Sequence, residues 1–224
     1  MLETGKGNQY APQRAEMVEK QLRRRGIENA AVLAAMLAVP RHEFVPPEVR
    51  SRAYEDVPLL IGAGQTISQP YIVAAMTAAL RLQPTDRALE IGTGLGYQAA
   101  VLSLLAKEVF TIERCAELAS AASEKLANLA YLNVHVHCGD GTLGLPEFAS
   151  FDAILVAAAA PAAPQPLLAQ LAEGGRMIIP VGDAENQELQ LIEKHAGKFS
   201  TRNMEGCRFV PLIGHHAWQK PPQR

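Results

Sequence analysis

Apolar residues recur along this chain first with helical spacing and then in an alternation of short strands and helices. Helical spacing over residues 11–25 and 29–38 predicts two helices, which end at Gly26 and Pro40. Residues 41–70 are rich in proline, glycine and polar side chains, and this composition predicts a long ordered loop with short elements. Beyond this loop the pattern predicts helices over 70–81, 96–106, 114–130 and 164–172, and strands over 87–91, 108–112, 133–137, 151–156 and 175–180. Two further β-rich stretches, 187–194 and 206–213, leave little room for a helix between them, so we expect an antiparallel edge pair.

The alternation of strands and helices is typical of an α/β protein. We predict a doubly wound, mostly parallel, seven-stranded sheet with helices on both faces, an N-terminal helical extension and antiparallel C-terminal edge strands. A length of 224 residues predicts a single domain over 1–224. We divide it into N-terminal helices and a loop (1–70), a core (71–218) and a tail (219–224).

Composition and charge exclude several classes of function. The formal net charge of −2 gives no electrostatic basis for binding nucleic acid. The polar N-terminal residues contain no apolar signal segment, and the longest apolar runs are too short to span a bilayer, so we expect no membrane partner. The three cysteines, Cys115, Cys138 and Cys207, are widely spaced, which predicts buried free thiols in a reducing compartment. We therefore expect a soluble, cytoplasmic and monomeric protein.

Two kinds of chemistry lack the residues that they need. His135 and His137 fall on one face of a predicted strand, but no third ligand lies near them in sequence, so we predict no metal site. Ser68 lacks the G-x-S-x-G turn of serine hydrolases. The adjacent pair His215–His216 is interpreted as part of a solvent-exposed tail.

The candidate chemistry begins at a glycine-rich turn after a predicted strand. Gly92, Gly94 and Gly96 form G-x-G-x-G, and Glu90 precedes the first glycine by two positions. The dinucleotide fingerprint needs a glycine at its sixth position, where this chain has Tyr97. Because a carboxylate at Glu90 repels a pyrophosphate and attracts a cation, the turn indicates a positively charged, phosphate-free ligand such as S-adenosylmethionine. A strand, turn and helix without a ligand is the alternative.

Carboxylates follow two further predicted strands. Glu113 ends the second strand, where a carboxylate accepts hydrogen bonds from ribose hydroxyls; the alternative is an acidic residue favoured at the start of the next helix. Asp140, which precedes Gly141, either presents its carboxylate to an adenine amino group or only serves a turn. Small residues at 157–160 either leave space for a substrate or pack closely.

The segment over 61–71 is the second informative feature of the sequence. Ser68 lies just before the helix predicted over 70–81, which opens with a proline suited to a first helical turn. Ser68 is therefore either a helix N-cap or a functional residue.

Several motifs together resemble the protein-L-isoaspartate O-methyltransferase family. They are Val39–Pro46, Ala53–Asp56, Gly64–Pro70, Leu89–Gly94 and Arg208–Leu212. The resemblance runs in order from about residue 17 to residue 218. The glycine turn is shared by many methyltransferases, whereas Gln65–Pro70 is far more specific to this family.

The resemblance implies a class I methyltransferase fold and a repair enzyme that uses S-adenosylmethionine and releases S-adenosylhomocysteine. Such an enzyme methylates the α-carboxylate of L-isoaspartyl residues in damaged proteins and peptides, and the ester then closes to a succinimide without the enzyme. It also implies that Ser68 is the active-site residue. Together with the glycines of the turn, the candidate cofactor-binding residues are Gln65, Thr66, Ile67, Ser68, Tyr71, Glu90, Gly92, Gly94, Gly96, Glu113, Asp140 and Gly141.

Three positions depart from the family pattern. Leu95 stands where a serine is common, Ala157 where bacterial members often have threonine, and Ala63 where histidine or tyrosine is frequent. A methyltransferase acting on another carboxylate or small molecule is therefore one alternative. A nicotinamide-dependent oxidoreductase, or a module that binds a nucleoside without chemistry, is another.

Overall fold

A computed structural model describes residues 8–220 of the chain. Residues 1–7 of the polar N-terminal stretch and residues 221–224 of the predicted tail lie outside it. The N-terminal extension is helical, as predicted: Gly26 ends its first helix with φ of 90°, and Asn29 caps the second by accepting a hydrogen bond from the Val32 amide at 3.1 Å. These elements are α1 (Ala11–Glu16), which continues as π-helical turns over Met17–Leu22 and a 3-10 turn over Arg23–Arg25, and α2 (Ala30–Ala38).

The region 41–70 consists of short ordered elements, as its composition predicts. They are 3-10 helices over Arg41–Phe44 and Pro47–Arg52 and an antiparallel hairpin of β1 (Leu59–Gly62) and β2 (Gln65–Ile67). Leu59 and Ile61 of the hairpin are buried, so one of its faces is anchored in the core. The chain then enters α3 (Pro70–Leu80).

The main sheet has seven strands in the order β5-β4-β3-β6-β7-β8-β9. The strands β3 to β7 pair in parallel and the last two are antiparallel, which confirms the predicted architecture. The strands are β3 (Arg87–Ile91), β4 (Glu108–Glu113), β5 (Val134–Cys138), β6 (Phe151–Val156), β7 (Leu171–Gly182), β8 (Gln187–His195) and β9 (Lys198–Cys207). The helices between them are α4 (Tyr97–Ser103), α5 (Ala116–Asn128) and α6 (Gln165–Ala169).

Helices cover both faces of the sheet, over two separate hydrophobic cores. Alternate residues of a strand point to opposite faces, so Leu155 packs in one core and its neighbour Ile154 in the other. The first core contains residues of α2, α3 and α4, and the second contains residues of α6. The central strands are buried on both sides, which is why their sequences read as continuous apolar runs.

The position predicted for the last strand is wrong. β9 covers Lys198–Cys207 and not 206–213, and most of its residues are exposed. A two-residue turn with positive φ at Ala196 (51°) and Gly197 (72°) connects it to β8. The backbone ladder of the hairpin therefore holds β9 in place, whereas the apolar residues at 209–213 belong to an irregular segment that packs elsewhere.

The helix predicted over 164–172 ends earlier than expected. α6 stops at Ala169, and Leu171 already pairs with Phe151 as the first residue of β7. Residues from 171 onwards therefore belong to β7, although the apolar spacing over 164–172 also suits a helix.

The three cysteines are free, but the prediction that they are buried is wrong. Cys138 is exposed, while Cys115 and Cys207 are half-buried. Two of them lie at strand ends and the third at the N-cap of α5, where the chain leaves the core. Within residues 8–220 no helix has both the length and the apolar character of a membrane span.

Candidate active site

A cavity of about 500 Å³ lies at the carboxyl ends of β3, β4 and β6. Chain order reverses at β3, which has β4 on one side and β6 on the other, and doubly wound sheets bind ligands at such a point. The β1–β2 hairpin and residues 209–213 form further walls. The predicted site residues that line the cavity are Gln65, Thr66, Ile67, Ser68, Glu90, Gly92, Gly94, Glu113 and Gly141.

The glycine turn needs backbone conformations that other residues avoid. Gly92, Gly94 and Gly96 have φ of 96°, 55° and 94°, all in the left-handed region. A Cβ on Gly94 would come 3.0 Å from Cδ1 of Ile61 in the hairpin. The turn and the hairpin are therefore in close contact on one side of the cavity.

Glu90 places a buried carboxyl group in the cavity wall. The Thr111 hydroxyl donates to its Oε2 at 2.5 Å, and the Thr93 and Thr111 hydroxyls are 2.6 Å apart. Its Oε1 has no hydrogen-bond partner among the described residues. Burial raises the pKa of Glu90 to about 8; the Thr111 hydrogen bond opposes this shift and the nearby Glu113 adds to it. The cavity wall thus contains a carboxyl oxygen without a hydrogen-bond partner among the described residues, which a ligand's donor group or positive charge would satisfy.

Glu113 connects the glycine turn to the start of α5. Its Oε2 accepts a hydrogen bond from the Gly94 amide at 2.9 Å, and its Oε1 accepts one from the Cys115 amide at 2.9 Å. Each carboxylate oxygen accepts more than one hydrogen bond, so both keep capacity for a ligand. The same carboxylate thus bonds to the start of α5 and lines the cavity, while its contact with ribose hydroxyls stays a prediction.

Asp140 does not line the main cavity and is engaged by the C-terminal segment. Its Oδ1 accepts from the amide and hydroxyl of Thr142 at 2.9 and 2.7 Å, and its Oδ2 accepts from the His215 amide at 2.7 Å. Desolvation is the largest single influence on the pKa of Asp140 and raises it. The hydrogen bonds together outweigh this effect, so the pKa is lowered. The His216 amide donates to the Thr142 hydroxyl. Both histidines are exposed, as expected, but their backbone amides are hydrogen-bonded to Asp140 and Thr142.

Ser68 lies on the wall formed after β2 and does not cap α3. The N-cap of α3 is Gln69, and no side chain caps that helix. The Ser68 carbonyl accepts a hydrogen bond from the Arg41 guanidinium at 2.7 Å, while the residue lines the cavity. The N-cap interpretation is thus wrong, and the functional role of Ser68 stays a prediction.

Two further predicted residues lie outside the cavity lining. The Tyr71 ring stacks against the Arg25 guanidinium, whose carbon is 3.5 Å from the ring centroid, and its amide donates to Asp56 at 3.1 Å. Gly96, the last glycine of the turn, is the N-cap of α4. Neither residue lines this cavity, and their contact with a cofactor stays a prediction.

Residues 209–213 form a wall of the cavity that the sequence did not predict, because they lie far along the chain from the other lining residues. Residues 209–213 contribute apolar side chains to the cavity, and Pro211 bridges to Ala159 beyond β6. The motif Arg208–Leu212 was the signal that pointed to this segment, but its residues suggested a strand. Gln98 and Arg114 also line the cavity without having been predicted.

All three departures from the family pattern lie in the cavity wall. Ala63, Leu95 and Ala157 each line it. Ala63 is in the hairpin turn with φ of 49°. These positions therefore lie in the same cavity wall as Glu90 and Glu113.

Comparisons with known proteins agree over nearly the whole chain. The family profile described as protein-L-isoaspartate(D-aspartate) O-methyltransferase matches residues 13–217. The chain is 54% identical over 209 residues to the protein-L-isoaspartate O-methyltransferase of Koribacter versatilis (strain Ellin345), covering 93% of this chain and 94% of that protein. It is 54% identical over 206 residues to protein-L-isoaspartate O-methyltransferase 1 of Syntrophobacter fumaroxidans, covering 92% and 96%.

Solved structures show the same fold. One protein-L-isoaspartate O-methyltransferase is 30% identical with a TM-score of 0.82, covering 91% of this chain and 67% of that one. A Plasmodium falciparum structure, described as a beta-aspartate methyltransferase in complex with S-adenosyl-L-homocysteine, is 27% identical with a TM-score of 0.78, covering 89% and 98%. Sequence, fold and the position of the cavity agree: the chain belongs to the protein-L-isoaspartate(D-aspartate) O-methyltransferase family.

Proposed function

We propose that this cavity carries out the reaction of the family and that Ser68 orients the substrate. The reaction is methyl transfer from S-adenosylmethionine to the α-carboxylate of an L-isoaspartyl residue in a damaged protein or peptide, and it follows from family membership. The ester then closes to a succinimide without the enzyme, which begins repair. The observation that carries the assignment is that Ser68 and the glycine turn line one cavity.

The residues present fit a cationic nucleoside. The volume of about 500 Å³ lies within the usual range for small-molecule sites. The unpartnered Oε1 of buried Glu90 suits a positively charged group, and the side-chain-free turn at Gly92 and Gly94 lets a ligand approach the backbone. Glu113 has free acceptor capacity for hydroxyl groups. The S-adenosyl-L-homocysteine in the Plasmodium falciparum structure supports the same ligand class.

When bound, S-adenosylmethionine supplies a methyl group on a positively charged sulfonium. The substrate α-carboxylate has an intrinsic pKa of about 3.9 or below and is already ionised at neutral pH, so the chain needs no general base. Its task is to hold the carboxylate oxygen ~3–3.5 Å from the methyl carbon and in line with the bond that breaks, which contributes roughly 7–11 kcal/mol. In this role the Ser68 hydroxyl donates a hydrogen bond to one carboxylate oxygen and so orients the other.

Apolar walls help the cavity to exclude water. Ile61 and Ile67 of the hairpin lie on one part of the wall and Phe209 and Leu212 on another. Displacing water strengthens the interaction between a carboxylate and a hydroxyl, because the local dielectric falls. The hairpin and the C-terminal segment thus favour transfer to the carboxylate over loss of the methyl group to water.

The role of Ser68 is tested by Ser68→Ala and Ser68→Thr. A hydrogen bond to a charged group contributes about 1.5–3 kcal/mol, so S68A should lower kcat by roughly ten- to hundredfold while the Kd for S-adenosylmethionine stays within about twofold. S68T retains a hydroxyl and should restore part of the activity. The exposed Ser123→Ala is the matched control. Unchanged kcat in S68A would remove Ser68 from the mechanism.

The substrate is tested with methyl-labelled S-adenosylmethionine and two peptides that differ only in carrying isoaspartate or aspartate. We expect label on the isoaspartyl peptide alone. Label on neither peptide, with the cofactor still bound, would favour a methyltransferase that acts on another carboxylate.

We also propose that the protein acts in the cytoplasm as a monomer and without nucleic acid. The three free cysteines support a reducing compartment, and the net charge of −2 gives no attraction to phosphate backbones. Light scattering should give the mass of one chain, and a concentration-dependent mass would contradict the monomer.

A further inference from the structure

We infer that Arg41 is a positioning residue for methyl transfer, one that acts through the Ser68 segment. Arg41 begins the 3-10 helix Arg41–Phe44, its side chain is fully buried, and it is absent from the cavity lining. The inference rests on the proposed role of Ser68. It adds a second residue, far from Ser68 in sequence, on which the direction of the Ser68 hydroxyl depends.

The Arg41 guanidinium ties two separate segments together. Its Nε–H donates to the Ala53 carbonyl at 2.7 Å, just after the 3-10 helix Pro47–Arg52, and its Nη2–H donates to the Ser68 carbonyl at 2.7 Å. Both are short, charge-assisted hydrogen bonds. Fixing the Ser68 carbonyl fixes the peptide plane after Ser68 and so restricts where its side chain points.

The Arg41 guanidinium is fully buried without a carboxylate in direct contact among the described residues, and Asp56 attracts it from farther away. Among the described residues no carboxylate forms an ion pair with it, and its Nη1 has no hydrogen-bond partner. Its guanidinium carbon lies 4.8 Å from the centroid of the Tyr97 ring, and Tyr97 lines the cavity. Burying a charge without an ionic partner is costly. The Ala53 and Ser68 carbonyls and the Tyr97 ring surround this charge. Ser68 and Tyr97 both line the cavity, so the charge lies next to the cavity wall.

This placement gives Arg41 two consequences for the reaction. It aligns the Ser68 segment, and it contributes a positive potential behind the wall that the substrate carboxylate contacts. Both favour the anionic substrate. A lysine at this position keeps the charge but cannot donate in two directions from one planar group, so Arg41→Lys separates alignment from charge.

The experiment is a double-mutant cycle with R41K, S68A and R41K/S68A, measuring kcat and KM for an isoaspartyl peptide at saturating S-adenosylmethionine. A misplacement of about 1 Å costs as much as a hundredfold in rate, so R41K should lower kcat roughly ten- to hundredfold in the wild-type background. In the S68A background the same substitution should lower kcat by less than about twofold, because the hydroxyl that it positions is gone.

Controls separate positioning from loss of fold. The Kd for S-adenosylmethionine and the Tm of each variant report folding, and assays run well below the lowest Tm. Arg176→Lys alters a mostly buried arginine that also donates to a backbone carbonyl. It lies outside the cavity lining, so the substitution should lower Tm without changing kcat. An equal loss of kcat from R41K in both backgrounds, or no loss in either, would overturn the inference. An unaffected S68A would overturn the role of Ser68 itself.

Discussion

Replacing Glu90 by glutamine should remove a titration that couples folding and cofactor binding to pH. The side chain is fully buried and bonded to Thr111, and burial raises its pKa from 4.5 to about 8. Glutamine keeps the shape and an acceptor for the Thr111 hydroxyl but has no proton to lose. Glu90→Gln therefore isolates the effect of charge from that of packing.

The size of the effect follows from the pKa shift. A carboxyl group whose pKa is raised in the folded state stabilises the fold fully below pH 4.5, and this contribution is lost as pH rises through about 8. Each pH unit in this window changes the free energy of unfolding by about 1.4 kcal/mol, or on the order of 5 kcal/mol over the whole window. E90Q lacks this dependence. The wild type should lose stability relative to E90Q between about pH 5 and pH 8.

Calorimetry of S-adenosylmethionine binding gives an independent measurement. With a pKa of about 8, Glu90 is mostly protonated in the free protein at pH 7. A cationic ligand favours the ionised form, so binding should release most of that proton, measured as different heats in buffers of different ionisation enthalpy. S-adenosylhomocysteine, which lacks the sulfonium charge, should release less. Equal proton release and equal pH dependence in wild type and E90Q would refute the reasoning.

Two further predictions concern stability. Gly141→Ala should lower Tm by several degrees, because a Cβ there would come 2.5 Å from a buried methyl group of β3, and overpacking costs about 1–3 kcal/mol. The matched control is Gly139→Ala, whose Cβ would have its nearest contact at 3.5 Å, and equal Tm values for the two variants would contradict the close contact. Asp86→Asn should lower the free energy of unfolding by about 3–5 kcal/mol in urea titrations, because it leaves the mostly buried Arg176 without its charged partner at 2.6 Å. Glu16→Gln breaks an exposed ion pair and should change the free energy of unfolding by less than about 1 kcal/mol.

The fold could be predicted where side-chain burial leaves a periodic signal. β3 and β6 are buried on both faces, and their apolar runs between turns gave their bounds to the residue. β9 left no such signal, since most of its side chains are exposed and its backbone hydrogen bonds to β8 hold it. Irregular segments that pack against the core, such as 209–213, imitate strands in sequence.

The candidate site could be predicted only where its residues follow one another. The glycine turn and Glu90 form one local motif, and Glu113 follows from the end of the next strand. Arg41 and the wall at 209–213 reach the site through tertiary packing, which no spacing along the chain encodes. The raised pKa of Glu90 depends on burial, and its sequence neighbours do not determine it.

The arrangement of the cavity walls determines when the site can form during synthesis. Residues 61–68 and 209–213 line the same cavity but come from distant parts of the described chain. A ribosome adds roughly 5–20 residues per second, so the hairpin waits on the order of ten seconds for the other wall. Contacts between such distant segments also slow folding. The cavity is therefore complete only after nearly the whole described chain has been made.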